Sequence, residues 1–485
     1  MHRWMPAAAV LCLHVLTSGG YGFFRDELYF VACGKRLAWG YVDQPPLIAL
    51  VARLSWELAQ GSVLLFRLPA AAAHAALVFL TGRLALRLGG GPFAAALAGA
   101  CAAIAPLLLA GGYLLTMNAF EPLLWLGVVS VVVEVLRGSD RRLWLAAGAL
   151  AGAGVLNKHS MVFFVACLLV ALLASARHVL RSRWLLAGSV LAVLLVLPHA
   201  LWQVGHGFPM IELLRAQAWK NAPFALGAFA SGQIVEMHPL TAPVWIAGAI
   251  LLLRSAELRP LGVAFGLNLI LFAALKAKVY YCAPLYPALF AAGGVAIERL
   301  LRWRVRWAAV ALVAVGGLAT APLAVGGIPE DALVRWMGVL GVEPRRLENK
   351  RYGALPQHLA DQHGWPALVE AVRRGREALT SAERRDVRVF AQNYGEAAAL
   401  ELLGGFHAIS GHNSYWLWGP GAGQPSAVLV VGGREPGDPC GAVRLVARTG
   451  HDPWVMPYED DLPVWACTDL RGPLGAVWPR LRHFE

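Results

Sequence analysis

The feature that most constrains this chain is a succession of apolar stretches separated by short arginine clusters, which a water-soluble fold cannot accommodate. Crossing the hydrocarbon core of a bilayer takes roughly 20 apolar residues per helix, and about eleven stretches qualify or nearly qualify. They run approximately Trp4 to Ser18, Leu64 to Leu84, Pro92 to Ala110, Phe120 to Leu136, Leu143 to Leu156, Met161 to Ala176, Trp184 to Gln203, Leu240 to Leu253, Leu261 to Leu275, Tyr281 to Ile297 and Trp307 to Val325. With 58% hydrophobic and only 15% charged residues, against roughly 25% charged in an ordinary soluble domain, the apolar surface needs lipid to cover it. The first stretch follows Arg3 and could be read as a signal peptide, but no small-x-small cleavage site follows before Tyr21, so an uncleaved first helix is expected.

Charge sets the orientation. The formal net charge of +12 does not point to nucleic acid, because the arginines lie between apolar runs and form no single basic face. Arg83 and Arg87; Arg137, Arg141 and Arg142; Arg177, Arg181 and Arg183; Arg254 and Arg259; and Arg299, Arg302, Arg304 and Arg306 occupy every second connection. Cytoplasmic loops collect such residues. The first loop on the other side, residues 19–63, also holds Arg25, Lys35, Arg36 and Arg53, but the rule weakens in long loops. Facing outward with it are residues 111–119, 157–160, 204–239 and 276–280, and a polar tail. Residues 1–325 are therefore expected to form an all-α polytopic membrane domain. Residues 326–485 read as a periplasmic α/β domain, since short β-rich runs such as Val387 to Ala391 and Ala427 to Val431 appear there, bounded by charge or glycine.

The unusual polar residues gather on the outward side. Asp26 and Glu27 stand among aromatics just after the first stretch, and Asp43 and Gln44 precede Pro45 and Pro46. A partly dehydrated carboxylate can take a proton from an incoming hydroxyl or amine; the plain alternative is a helix start with solvated acids. Asn118 and Glu121 open another apolar stretch, and an ionisable group at the mouth of such a helix is functional by default, although a partner for the helix dipole is an alternative. Lys158 separates two apolar runs. It either snorkels to head groups or neutralises a leaving phosphate, and Lys276 and Lys278, with Tyr280 and Tyr281 as hydroxyl donors, offer the same service. An aromatic belt would equally place those tyrosines.

The remaining candidates point less clearly to chemistry. His199, His206, His238 and Glu236 match no compact ligand motif, so no catalytic metal is expected, a divalent ion being possible but not favoured. In the tail, Tyr394, Glu396, His412, Asn413, Tyr415, Trp416 and Trp418 form a polar-aromatic group suited to stacking on a sugar or peptide, with structural packing the favoured reading. Of the seven cysteines, Cys440 and Cys467 lie in the polar tail, where an oxidising compartment permits a disulfide and two free thiols are the alternative.

The Arg25-Asp26-Glu27-Leu28-Tyr29 stretch, the Gly40 to Leu47 stretch and the run of Lys276, Tyr280, Tyr281, Pro284, Tyr286 and Pro287 resemble the bacterial glycosyltransferase family 39 proteins. These are relatives of protein O-mannosyltransferases and of the lipid A aminoarabinose transferase. The tail stretches Gln392 to Glu396 and Ser410 to Pro420 are similar to the tails of other members. The resemblance covers nearly the whole chain, and the opening loop is its most specific part. It implies a GT-C membrane fold in the inner membrane, a sugar donor linked to a polyprenyl phosphate, and an inverting transfer to a lipid, glycan or protein acceptor. Within that resemblance Asp26 maps to the proposed general base and Glu27 to the second acid of the pair. Gln44 stands where the aminoarabinose transferases place a lysine toward the lipid phosphate, so it supplies hydrogen bonds but no charge, with Asp43 beside it. Asn118 stands where relatives place an acid. The competing reading is a transporter or flippase of a lipid-linked saccharide, which calls for mid-helix charges or paired broken helices.

Overall fold

The computed structural model describes residues 4–346 and 348–485, so Arg3 lies outside the described residues. All eleven predicted apolar stretches are helical. By length and composition, five helices among the described residues can cross a membrane: Val63–Arg87, Met117–Leu136, Arg183–Gly205, Val279–Leu300 and Trp303–Val325. Two further candidates are bent pairs, Pro92–Ile104 with Pro106–Tyr113 at 64° and Leu226–Val235 with Pro239–Arg254 at 82°. In the first pair the break falls at Ala105, where the extended backbone precedes Pro106, a residue that biases its predecessor away from the helix and cannot donate to the ladder. The other four, Met5–Thr17, Leu143–Asn157, Ser160–Ser175 and Arg259–Ala274, hold 13 to 16 residues. At 1.5 Å per residue they fall short of the roughly 30 Å hydrocarbon core.

The chain folds as two compact units. The first comprises Met1–Gly20, Leu58–Trp202 and Pro223–Ile328, and the second Tyr21–Glu57, Gln203–Ala222 and Pro329–Glu485. Two of the expected outward loops thus contribute to the second unit together with the tail. Inside the helical unit Arg67, fully buried, donates to the Ser18 carbonyl at 3.1 Å and lies 4.7 Å from the centre of the Tyr113 ring. His14 and His74 meet at 2.9 Å.

Small residues let these helices approach closely, as membrane helix packing requires. Helices Ala242–Arg254 and Tyr286–Leu300 cross at Gly248 and Gly293. A Cβ on Gly248 would stand 2.0 Å from the Leu289 carbonyl oxygen, and one on Gly293 2.0 Å from that of Val244.

The second unit carries a mixed five-stranded sheet. Its strands are β1 (Val387–Phe390), β2 (Ala408–Ile409), β3 (Ala427–Val431), β4 (Ala442–Arg448) and β5 (Pro463–Thr468), in the order β2-β1-β3-β5-β4. β1 runs parallel to β2 and β3, whereas β5 is antiparallel to β3 and β4. The α/β expectation for the tail is met. Cys440 and Cys467 are joined in a disulfide across 27 residues, packed with Ile409, Val428, Leu474 and Trp478.

Gly293→Val is expected to force the two helices apart and cost about 1 to 3 kcal/mol or more, read as a lower melting temperature in detergent. Gly266→Ala is the control. Its added methyl enters open space, so the melting temperature stays level or rises slightly.

Candidate functional site

The residues singled out in the sequence fall into two clusters, one in each unit. In the first unit, Thr116 caps the helix Met117–Leu136 by accepting from the Asn118 amide, which places Asn118 and Glu121 three residues apart on one helical face. Helix Leu143–Asn157 ends at Lys158, and Ser160 begins the next helix. The Lys158 ammonium donates to Asn118 Oδ1 and to Glu121 Oε2, both at 2.8 Å. Ser160 donates to the other Glu121 oxygen, and the Asn157 amide anchors on the Met117 carbonyl at 2.9 Å.

Tyr280 and Tyr281 complete this cluster from the 3₁₀ segment Val279–Leu285. The Lys158 nitrogen lies 5.0 and 4.7 Å from the centres of their rings, which stack on one another at 4.8 Å. Lys158 and Glu121 are buried, so this is a desolvated ion pair with an aromatic wall. Lys276 is exposed and Lys278 half-buried. His159 and His199 form a separate pair at 2.9 Å. Among the described residues, no three His, Cys, Asp or Glu side chains are grouped to hold a metal ion.

In the second unit the helix Arg25–Lys35 carries the opening motif. Glu27 is fully buried and accepts from the Phe24 amide at 2.8 Å, half of a capping box. Its carboxylate therefore secures the helix start. Asp26 is 32% exposed at its side chain and is held from one side, by the Tyr394 hydroxyl at 2.8 Å and by Arg25 Nε at 3.9 Å. Tyr394, expected to be packing, reaches Asp26 from a helix whose N-terminus Asn393 caps. It packs on Tyr29 and His412, ring centres 4.5 and 4.8 Å away.

Asp43 is the second acid of this cluster. It accepts from the Tyr29 hydroxyl at 3.0 Å and the Asn413 amide at 3.3 Å. Burial outweighs those hydrogen bonds and pushes its carboxyl up to about 7. Gln44 is buried, with its amide near the Cys33 thiol.

Sequence reasoning passed over the groups that tie these acids down. Arg25 is buried and donates to the Tyr458 hydroxyl at 2.7 Å, pairs with Asp361 at 3.5 Å, and takes the Asp361 carbonyl on its own backbone N–H at 3.0 Å. Burial works against its charge, but Asp361 chiefly, then Tyr394, Tyr458 and Asp26, hold the guanidinium protonated. Glu396 and Glu459 lie behind it, and the Asn393 amide donates to both, at 2.8 and 3.0 Å. Burial, then repulsion from Glu459, raises Glu396, and burial raises Glu459. The Arg25-Asp26-Glu27 triplet was the available signal, yet nothing near it in sequence announced Asp361 or Tyr458.

Two measurements test these clusters. Lys158→Met leaves Glu121 charged, buried and without its ammonium partner, an expected loss of about 3 to 5 kcal/mol; the Lys158→Met/Glu121→Met double variant recovers most of it in detergent unfolding. Because the folded Asp43 carboxyl is raised above its unfolded value, its contribution is fully present below the unfolded pKa and is lost as pH rises through about 7. Asp43→Asn is therefore expected to shrink the drop in melting temperature between pH 5 and pH 8.

Comparison with known proteins supplies the family context. Residues 43–202 match the family described as dolichyl-phosphate-mannose-protein mannosyltransferase. No curated protein matches the sequence significantly. Among solved structures, ArnT from Cupriavidus metallidurans in the apo state is similar with a TM-score of 0.63 at 16% identity, over 97% of this chain and 98% of that one. The same protein bound to undecaprenyl phosphate gives 0.60 at 15% identity, with the same coverage. The chain thus has the fold of the ArnT structures, and its residues 43–202 match the model of the dolichyl-phosphate-mannose-protein mannosyltransferase family.

Proposed function

We propose that this protein is a membrane glycosyltransferase that moves a sugar from a polyprenyl-phosphate donor to an acceptor at the periplasmic face of the inner membrane. The observation that carries the reading is Asp26: a carboxylate fixed on one side by Tyr394 and Arg25, with a third of its side chain open to an incoming group. A fixed, accessible carboxylate is what a general base requires. The undecaprenyl phosphate bound to the similar ArnT structure supports a lipid-linked donor.

In this reading the acceptor hydroxyl gives its proton to Asp26 as its oxygen attacks the anomeric carbon. The bond from that carbon to the phosphate oxygen breaks in the same displacement, the lipid phosphate leaves with the electron pair, and the configuration inverts. Asp26 is the catalytic base, and Glu27 acts through the helix start it caps. Lys158, with Tyr280 and Tyr281, neutralises the departing phosphate; Asn118 and Glu121 orient the ammonium. Lys276, Lys278 and Gln44 are assigned to the same phosphate as auxiliary donors, and Asp43 to the substrate. The reaction so written draws on side chains alone.

Location follows the same logic. Arginines in alternate connections place those connections in the cytoplasm, and the Cys440–Cys467 disulfide of the second unit suits an oxidising compartment.

The test is transfer from a panel of radiolabelled polyprenyl-phosphate sugars to envelope fractions by membranes holding wild type or Asp26→Asn. Loss of a general base lowers the rate by about 10² to 10⁴-fold. Equal transfer by both proteins would remove Asp26 from this role, and no transfer by wild type from any donor would remove the activity.

A further inference from the structure

Beside the groups assigned above, the second unit holds a hollow of about 180 Å³ lined by Arg25, Lys220, Lys350, Tyr394, His412 and Tyr458, with Asn393, Gln392 and Glu485 also on its wall. Three cations reach it from three distant segments: Arg25 from the opening helix, Lys220 from the end of helix Pro209–Lys220, and Lys350 from the tail.

We propose that this hollow is a binding site for an oxyanion, a phosphate ester or a carboxylate, carried by one of the two substrates; the identity of the carrier rests on the glycosyltransferase reading, whereas the anion site itself does not. Converging like charges repel, and the effect is visible here. Burial first, then Lys220 and Arg25, push the Lys350 ammonium below its usual range. Glu348 and Glu485 act against that shift without reversing it, and Arg25 itself is matched by Asp361 and Asp26. Lys350 is 3.7 Å from Glu348, while among the described residues no carboxylate pairs with Lys220 within 4 Å. Glu485, the one acid on the wall, is exposed.

Unused donor capacity points the same way. Arg25 Nε is buried and makes no hydrogen bond, its ionic partner Asp26 standing 3.9 Å away, while two other nitrogens of the group engage Tyr458 and Asp361. A guanidinium flanked by two ammoniums is a strong arrangement for an oxyanion, because charge-assisted hydrogen bonds are roughly twice as strong as neutral ones. Tyr394 lines the hollow and its hydroxyl holds Asp26. An anion seated there therefore lies one side chain from the proposed base, where it would fix the substrate that bears it. Gln44 carries no charge, so these cations provide what that position lacks.

The experiment measures binding by the purified full chain in detergent, not turnover. Glucose 6-phosphate, glucuronate and undecaprenyl phosphate are titrated, and the melting temperature is followed. Wild type is expected to be stabilised saturably by at least one probe, with affinity lowered about tenfold in Lys220→Gln and in Lys350→Gln. Lys35→Gln, an exposed lysine away from the hollow, is expected to bind as wild type does. Competition between undecaprenyl phosphate and the sugar oxyanion assigns the site to the donor; independent binding of both assigns it to the acceptor. Equal binding by wild type and both pocket variants, or no saturable binding by any probe, overturns the proposal. Lys220 lies half-exposed at a helix end, so its variant keeps the test valid should Lys350→Gln fold poorly. Because no transfer is measured, failure of the enzymatic reading leaves this result standing, and the reverse also holds.

Discussion

Taking a guanidinium out of water costs several kcal/mol unless opposite charge and hydrogen bonds replace the solvent, and the second unit is organised around meeting that cost at Arg25. The group recruits Asp361, Tyr458 and Asp26 directly and lies 5.5 Å from the centre of the Tyr394 ring. Each partner is then committed. Tyr458 also donates to Asp361 at 3.2 Å, and Tyr394 is left to aim its hydroxyl at Asp26. The opening helix and the tail are thereby fixed against each other within one unit, and the exposed edge of Asp26 is what remains uncommitted.

The helical unit solves the same problem with a lysine. Lys158 cannot be left in an apolar surround, so Asn118, Glu121 and two tyrosine faces enclose it, and Ser160 satisfies the far oxygen of Glu121. An enclosed ion pair of this kind weakly favours the fold but fixes geometry strongly. Its ammonium is oriented in advance, which is what stabilising charge that develops during a reaction requires.

Much of this was legible in the sequence, for identifiable reasons. Apolar runs declare themselves locally, so every predicted stretch proved helical. Their lengths were less legible, because proline and glycine shorten or bend a helix without lowering its hydropathy: Pro106 breaks one stretch into two pieces at 64°. Asn118, Glu121 and Lys158 were each marked as polar groups at helix mouths, and they meet. The network around Arg25 was illegible, since its partners lie hundreds of residues away and are ordinary in their own surroundings. Tyr394 was noticed only as one of a group of aromatics. Lys220 and Lys350 drew no attention because a lone lysine in a polar segment is unremarkable until the fold converges three cations. The Cys440–Cys467 disulfide needed the β4 and β5 pairing, which opposes Val443 to Cys467, to become more than one of two options.

The separation of Arg25 from Tyr458, 433 residues, also has a meaning in time. Synthesis proceeds at about 5 to 20 residues per second, so about 20 to 90 s pass between the emergence of the guanidinium and that of its hydroxyl partner. Until Asp361 and Tyr458 have been made, the opening helix has only Asp26 beside its arginine, and it must stay wet or loosely held. The Asp26 carboxylate gains its Tyr394 partner only after a further 368 residues have been made. Nascent and truncated chains are thus left unassembled at this point by construction.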